Sequence, residues 1–149
     1  VGLDVEAELP DSYVSQTAEK LRLYRELDAM RSEEELQRFE QRLVDRFGAL
    51  PQAARELLDV VRLRWEAVRL GMERVKVKNG LMIVHCVGDA ASPFYKSEVF
   101  SELLRRVTRR PDKFVLKQHN NRLAMTVRGV TDIAGAWEIL KSLYKEQDA

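Results

Sequence analysis

Apolar and polar residues alternate at the start of the chain. Leu3, Val5, Ala7 and Leu9 are separated by Asp4, Glu6 and Glu8, the pattern of a strand with one wet face, and Pro10 ends it. A strand this short needs a neighbour, in the same sheet or in a domain preceding it. The period then lengthens. Ala18, Leu21, Tyr24 and Leu27 recur at helical spacing through Met30, with Ser15 the expected N-cap. Ser32-Glu33-Glu34-Glu35 reads as a capping box in which Ser32 and Glu35 satisfy each other's amides. The helix it opens carries Leu36, Phe39, Leu43 and Phe47 on one face. Gly48 falls where a helix end favours a left-handed residue, and Pro51 fits the first turn of a third helix. That helix is expected to bury Ala54, Leu57, Leu58, Val61, Trp65 and Val68 and to stop at Gly71.

From Glu73 the period returns to two. Arg74–Lys78 and Leu81–Val87 flank Asn79-Gly80, a strong signal for a two-residue hairpin. Ser92-Pro93 predicts the start of a helix carrying Phe94, Val99, Phe100, Leu103, Leu104 and Val107, which Pro111 breaks. A second hairpin pairs Lys113–Gln118 with Arg122–Arg128 around Asn120-Asn121. Thr131 then caps a helix with Ile133, Ala136, Trp137, Leu140, Leu143 and Tyr144 on one face. The expected fold is α+β, a single domain over 1–149 with two packed subdomains. Residues 1–72 form the helical half, with one leading strand and three helices. Residues 73–149 form a ββαββα half, a four-stranded antiparallel sheet with two helices over one face.

Bulk composition narrows the classes. The 149 residues are 45% hydrophobic and 33% charged, as in a charge-rich globular domain. No apolar run reaches the roughly 20 residues of a membrane span, and the acidic start does not read as a signal peptide. The single cysteine, Cys86, cannot form an internal disulfide, so the expected location is cytoplasmic. Net charge is +1, yet residues 1–72 hold 11 basic and 15 acidic side chains, and residues 73–149 hold 14 and 9. The two halves are expected to present different surfaces.

Catalytic chemistry is not indicated. The seven glycines are scattered over caps and turns and form no phosphate-binding loop. His85 and Cys86 are neighbours on a predicted strand and so point to opposite faces, which makes them poor joint metal ligands; His119 stands alone at a turn. No catalytic, cofactor or metal residues are assigned. Arg105, Arg106, Arg109 and Arg110, followed by Lys113 and Lys117, form a basic stripe at the end of a predicted helix. It reads first as a solvated face favoured by the helix dipole, and second as a contact to DNA phosphates. Trp65 and Trp137, in apolar registers, read as core.

Leu43-Val44-Asp45-Arg46-Phe47-Gly48-Ala49-Leu50-Pro51 resembles the signature E-L-x-D-R-F-G-x-L-P of the C-terminal domain of the bacterial transcription-repair coupling factor. Further matching pieces lie in order around it: Leu21–Leu27, Ser32–Leu36 and Leu57-Leu58-Asp59. The similarity is strongest from Leu3 to Gly71, and residues after Gly71 match in pattern only. The resemblance implies a non-catalytic regulatory domain acting in DNA repair, although the full-length family protein is an ATP-dependent DNA translocase with helicase motor motifs. It implies docking on the UvrB-like N-terminal domain of the same protein, which masks a surface that recruits UvrA. Release would couple that recruitment to translocation at stalled RNA polymerase. Asp45 matches an acid of the docking helix, and Arg46 matches as well. Arg42 stands where the signature has glutamate, so either the partner surface has changed with it or that contact is missing. The alternatives are weak, sequence-independent DNA binding through the 105–117 cluster and a purely structural appendage.

Overall fold

The computed structural model describes residues 2–4, 7–120 and 122–144. In chain order the elements are β1 (Gly2–Asp4), α1 (Thr17–Asp28), α2 (Glu33–Phe47), α3 (Gln52–Arg69), β2 (Met72–Lys78), β3 (Leu81–Cys86), a single 3-10 turn (Pro93–Lys96), α4 (Glu98–Thr108), β4 (Phe114–His119), β5 (Arg122–Arg128) and α5 (Ile133–Ser142). The chain divides into two compact units. Residues 6–62 form the helical one, and residues 1–5 with 63–149 form the one built on the sheet. The division falls inside α3, not between residues 72 and 73, and it assigns the leading strand to the sheet.

Each helix of the helical unit buries one stripe. On α1 it is Leu23 and Leu27, on α2 Leu36, Phe39 and Leu43, and on the first half of α3 Ala54, Leu58 and Val61. Helix α1 begins at Thr17 with Gln16 as its N-cap and no side-chain hydrogen bond there, so Ser15 does not cap it. At α2, Ser32 Oγ accepts from the Glu35 amide at 3.2 Å, but the Glu35 carboxylate takes the Arg31 N–H at 3.1 Å. The capping box is therefore displaced by one residue on its return arm. Residues 7–9 are not strand; Leu9 is buried and its N–H donates to the Tyr24 hydroxyl at 2.9 Å. Val5, expected in that strand, lies outside the described residues.

The sheet has five strands in the order β1-β2-β3-β5-β4, and it is mixed rather than antiparallel throughout. Strand β1 runs parallel to β2, with Leu3 opposite Val75, while the other three pairings are antiparallel. A parallel neighbour needs a long crossover, and here all the chain between β1 and β2 supplies it. The turn at Asn79-Gly80 holds both residues at positive φ, 55° and 77°, as a two-residue hairpin demands. Asn120 also has positive φ; Asn121 lies outside the described residues.

Helix α4 begins later than the serine-proline pair suggests. Ser92 caps only the 3-10 turn, and Ser97 caps α4 by accepting from the Phe100 amide at 3.2 Å. Gly71 ends the segment after α3 at φ 66°. A Cβ there would meet the Phe94 ring at 2.6 Å, so this position needs glycine for both backbone and space.

The third helix departs from the expected stripe. Val68 is 62% exposed and Trp65 half-buried, whereas Leu63, Ala67 and Leu70 are fully buried. At 100° per residue these three lie roughly opposite Ala54, Leu58 and Val61. Helical periodicity carried unbroken across the unit boundary thus selects the wrong face for its second half. Trp137 is also half-buried, with Lys141 Nζ 3.6 Å from its ring centroid.

Candidate docking site

The signature lies at the C-terminal end of α2, where Gly48 stops the helix. Its backbone stands at φ 92° and ψ −170°, a region open almost only to glycine and not the left-handed cap expected. Nothing lies within 4 Å of a Cβ built there, so the requirement is one of backbone conformation alone. Tyr13 pins the corner. Its hydroxyl reaches the Gly48 carbonyl at 2.7 Å and the Leu43 carbonyl at 3.2 Å, and its ring meets that of Phe47 at 5.6 Å. Burial raises the Tyr13 phenol above its ordinary pKa, with Glu40 adding to the shift, so the hydroxyl remains a donor at neutral pH.

Around this corner the two arginines of the signature are held from α1. Arg46 Nη1 lies 2.5 Å from Glu19 Oε1, and Arg22 approaches the other oxygen of that carboxylate at 3.0 Å. Arg42 Nη2 lies 2.8 Å from Glu26 Oε2. Each guanidinium also stacks near a ring of α2, Arg42 5.6 Å from the Phe39 centroid and Arg46 4.8 Å from that of Phe47. Asp45 differs. It is exposed, and among the described residues its carboxylate accepts only from the Gln41 side-chain amide, at 3.0 Å. The three charged residues rim a small cleft of about 150 Å³ with a floor of Leu23, Phe39, Leu43 and Phe47. Phe47 is half-buried, a floor residue rather than core.

Charge at this corner is therefore arranged in one direction. Both cations are met by acids of α1, while the acid of the signature is exposed and, among the described residues, meets no cation. The structure also gives Arg42 a role inside the domain: a glutamate at this position would face Glu26. Glu19, Glu26 and Tyr13 complete the corner, yet none belongs to the signature and none could be found from periodicity, because their partners lie 16 to 35 residues away.

The basic stripe is brought together at the end of α4, but it is half spent internally. Glu102 holds Arg105 at 2.5 Å and also pairs with Arg106, whose Nη1 donates to the Ser142 carbonyl at 2.6 Å. These hydrogen bonds lower the Glu102 carboxyl to about 2. Arg110 pairs with Asp112 at 3.4 Å. Arg109 has no ion pair among the described residues. Arg106, Arg109, Arg110 and Lys113 line a shallow groove beside Phe114, Ile139 and Leu143. Lys117 is exposed on β4.

His85 is exposed and Cys86 buried, on opposite faces of β3. Burial raises the Cys86 thiol to about 11. Among the described residues no three His, Cys, Asp or Glu side chains gather where they could hold a metal ion, and no helix is long and apolar enough to cross a membrane.

Comparison with known proteins decides the family. The sequence profile of the TRCF domain matches residues 3–97. The chain belongs to this family. The transcription-repair-coupling factor of Rickettsia prowazekii is 29% identical over 121 residues, covering 80% of this chain and 10% of its own length. That of Rickettsia conorii is 30% identical over 122 residues, with the same coverage. The Escherichia coli factor is 38% identical over 68 residues, 46% of this chain and 6% of its own. This TRCF domain thus spans about a tenth or less of the length of these relatives. A crystal structure of the C-terminal domain of transcription-repair coupling factor superposes with a TM-score of 0.73 at 16% identity, covering 98% of this chain and 94% of that one. The α+β fold with its five-stranded sheet is that domain's fold.

Proposed function

We propose that this domain is a non-catalytic regulatory module of a transcription-repair coupling factor. It docks through the C-terminal corner of α2 on the UvrB-like domain of the same protein and so masks a surface that recruits UvrA. The observation that carries the reading is Asp45, the one charged residue of the signature that α1 leaves without an opposite charge. An exposed carboxylate on the last turn of a helix, beside a small apolar cleft, suits a basic residue of a partner, and a charge-assisted contact supplies direction. The remaining rim is internally neutral, so the interface is of modest strength. That suits a contact that has to open when an external partner competes for it.

Calorimetric titration of the UvrB-like domain with this domain tests the reading. Asp45→Arg should weaken docking by about 2 kcal/mol or more, through removal of the carboxylate and addition of repulsion, with an unchanged melting temperature. In the full-length protein the same substitution should raise UvrA binding. Wild-type docking and wild-type UvrA binding in a folded Asp45→Arg protein would sink the proposal. Arg42→Glu is the second arm: stronger docking indicates that a family contact is missing here, and weaker docking indicates a partner surface adapted to arginine.

A further inference from the structure

The strand register sorts the sheet's side chains by face. Val75, Val84 and Met125 align across β2, β3 and β5 and are fully buried, as are Met82 and Val127 in the adjoining row. Both α4 and α5 lie on this side, since Leu104 shares a cleft with Gln118 and Leu123, and Ile139 and Leu143 flank Phe114. The alternate positions belong to the other face, which no described element of this unit covers. One row there reads Arg74, His85, Ala124, Lys117 across β2, β3, β5 and β4; the next reads Lys76, Ile83, Thr126, Val115; the third pairs Lys78, Leu81 and Arg128. Arg122 follows on the same face of β5.

The cations are not spread evenly. Arg74, Lys76 and Lys78 form one rail along β2, and Lys117, Arg122 and Arg128 stem from β4 and β5 as a second, with the Arg122 guanidinium leaning to Gly88 just past the end of β3. Neutral residues of β3 lie between them. Five of the six are exposed and Lys76 is half-buried; none forms an ion pair among the described residues. Arg128 Nη1 donates to the Asp112 carbonyl at 2.8 Å, a contact that leaves its charge uncancelled. This contrasts with α4, where Glu102 and Asp112 answer three of the four arginines. At the sheet edge the backbone of Lys76 pairs in register with that of Asp4.

We infer that this uncovered sheet face binds duplex DNA through its phosphodiester backbones, without reading sequence. Strands about 4.8 Å apart place the rails roughly 10–14 Å from each other, comparable with the major groove of about 12 Å that separates two phosphate backbones. The face carries no Phe, Tyr or Trp in its three rows, so it offers no stacking platform for single-stranded bases. Protein interfaces are depleted in lysine at their centres and rich in aromatic anchors, whereas this face carries Lys76, Lys78 and Lys117 and no aromatic anchor in its three rows. Long basic side chains over small neutral ones suit a polyanion, whose binding depends on release of counterions.

Fluorescence anisotropy of a labelled 20-base-pair duplex over a salt series, with the 149-residue protein, tests the assignment. Binding should weaken steeply with salt. The triple variant Lys78→Glu, Lys117→Glu, Arg122→Glu should weaken it at least tenfold at low salt and flatten the log–log slope by about 0.9 for each phosphate that is no longer neutralised. The triple Arg25→Glu, Arg38→Glu, Arg55→Glu, with the same change in net charge on exposed helical positions, should change affinity less than threefold. If glutamate at the three strand positions lowers the melting temperature, the glutamine triple replaces it, with the same expectation of weakened binding. Equal weakening by both triples, or by neither, overturns the assignment. So does a single strand of equal charge that binds as tightly as the duplex, or polyglutamate that displaces the duplex at matched charge, which would make this a surface for an acidic protein.

Discussion

Helices α2 and α4 both carry arginines near their C-terminal ends, and they use them differently. In α2, Arg42 and Arg46 are drawn back onto α1 by Glu26 and Glu19, which lie 16 and 27 residues earlier in the chain. In α4, Arg105 and Arg106 are both held by Glu102 on the preceding turn. Among the described residues, the signature at the end of α2 leaves Asp45 without an opposite charge, and the arginine stripe at the end of α4 leaves Arg109, so the two differ in sign. Their ends differ too. Helix α2 stops on Gly48 at φ 92°, fixed by Tyr13, while α4 stops on Arg109 at an ordinary helical φ of −75°. One corner is closed by a glycine-only turn and leaves the acid of its signature without a cation among the described residues; the other is a regular terminus whose charge is mostly cancelled. The lesson is that a charge run is not a site until its internal partners are subtracted.

The largest effect that separates the two corners is on docking. Asp45→Arg should cost about 2 kcal/mol of binding to the UvrB-like domain, whereas Arg109→Glu, an equally exposed reversal, should leave that binding unchanged. Equal weakening by the two substitutions would end the distinction. Next comes the stability of the ends. Gly48→Val should destabilise the protein by about 1–3 kcal/mol, because a β-branched residue resists this glycine-only conformation. Arg109→Ala should alter the denaturation midpoint hardly at all. A wild-type midpoint for Gly48→Val would mean that the corner relaxes at no cost. Smaller again is Arg42→Glu, which puts two acids face to face where a partly exposed ion pair stood. About 0.5–1 kcal/mol of stability should be lost, and Glu26→Arg in the same protein should restore it.

The smallest effect concerns pH. Glu102 is depressed in the folded state to about 2 by its hydrogen bonds to Arg105 and Arg106. Its contribution to stability is therefore present above the unfolded carboxyl value of about 4.3 and is lost as pH falls toward 2. NMR titration of the Glu102 carboxyl should show it ionised at pH 3. A midpoint near 4.3 would mean that α4's arginines are free, and the contrast with α2 would collapse.

Much of this chain could be read from its own residues. The sequence alone determined the helix and strand order after residue 15, the hairpin at Asn79-Gly80, the cap at Ser32, the glycine stops at Gly48 and Gly71, and the family signature around Asp45. Each of these rests on residues within a few positions of one another, where local sterics and hydrogen bonding decide the outcome. At 100° per residue Asp45 lies about 160° round α2 from Phe47, away from the apolar stripe, so its exposure is a local matter as well. Tertiary structure decided the rest. That β1 joins this sheet, parallel to β2, depends on a pairing between segments about 70 residues apart, which no local pattern encodes. The second half of α3 turns its buried side from Val68 to Leu63, Ala67 and Leu70 because burial there answers to the sheet-bearing unit, not to the stripe that precedes it. The ion pairs that neutralise Arg42 and Arg46 reach from α2 back to α1, and the basic rails on the open face exist only once four strands are in register. In each case the deciding contact joins residues far apart in the chain, and a sequence pattern reports only on near neighbours.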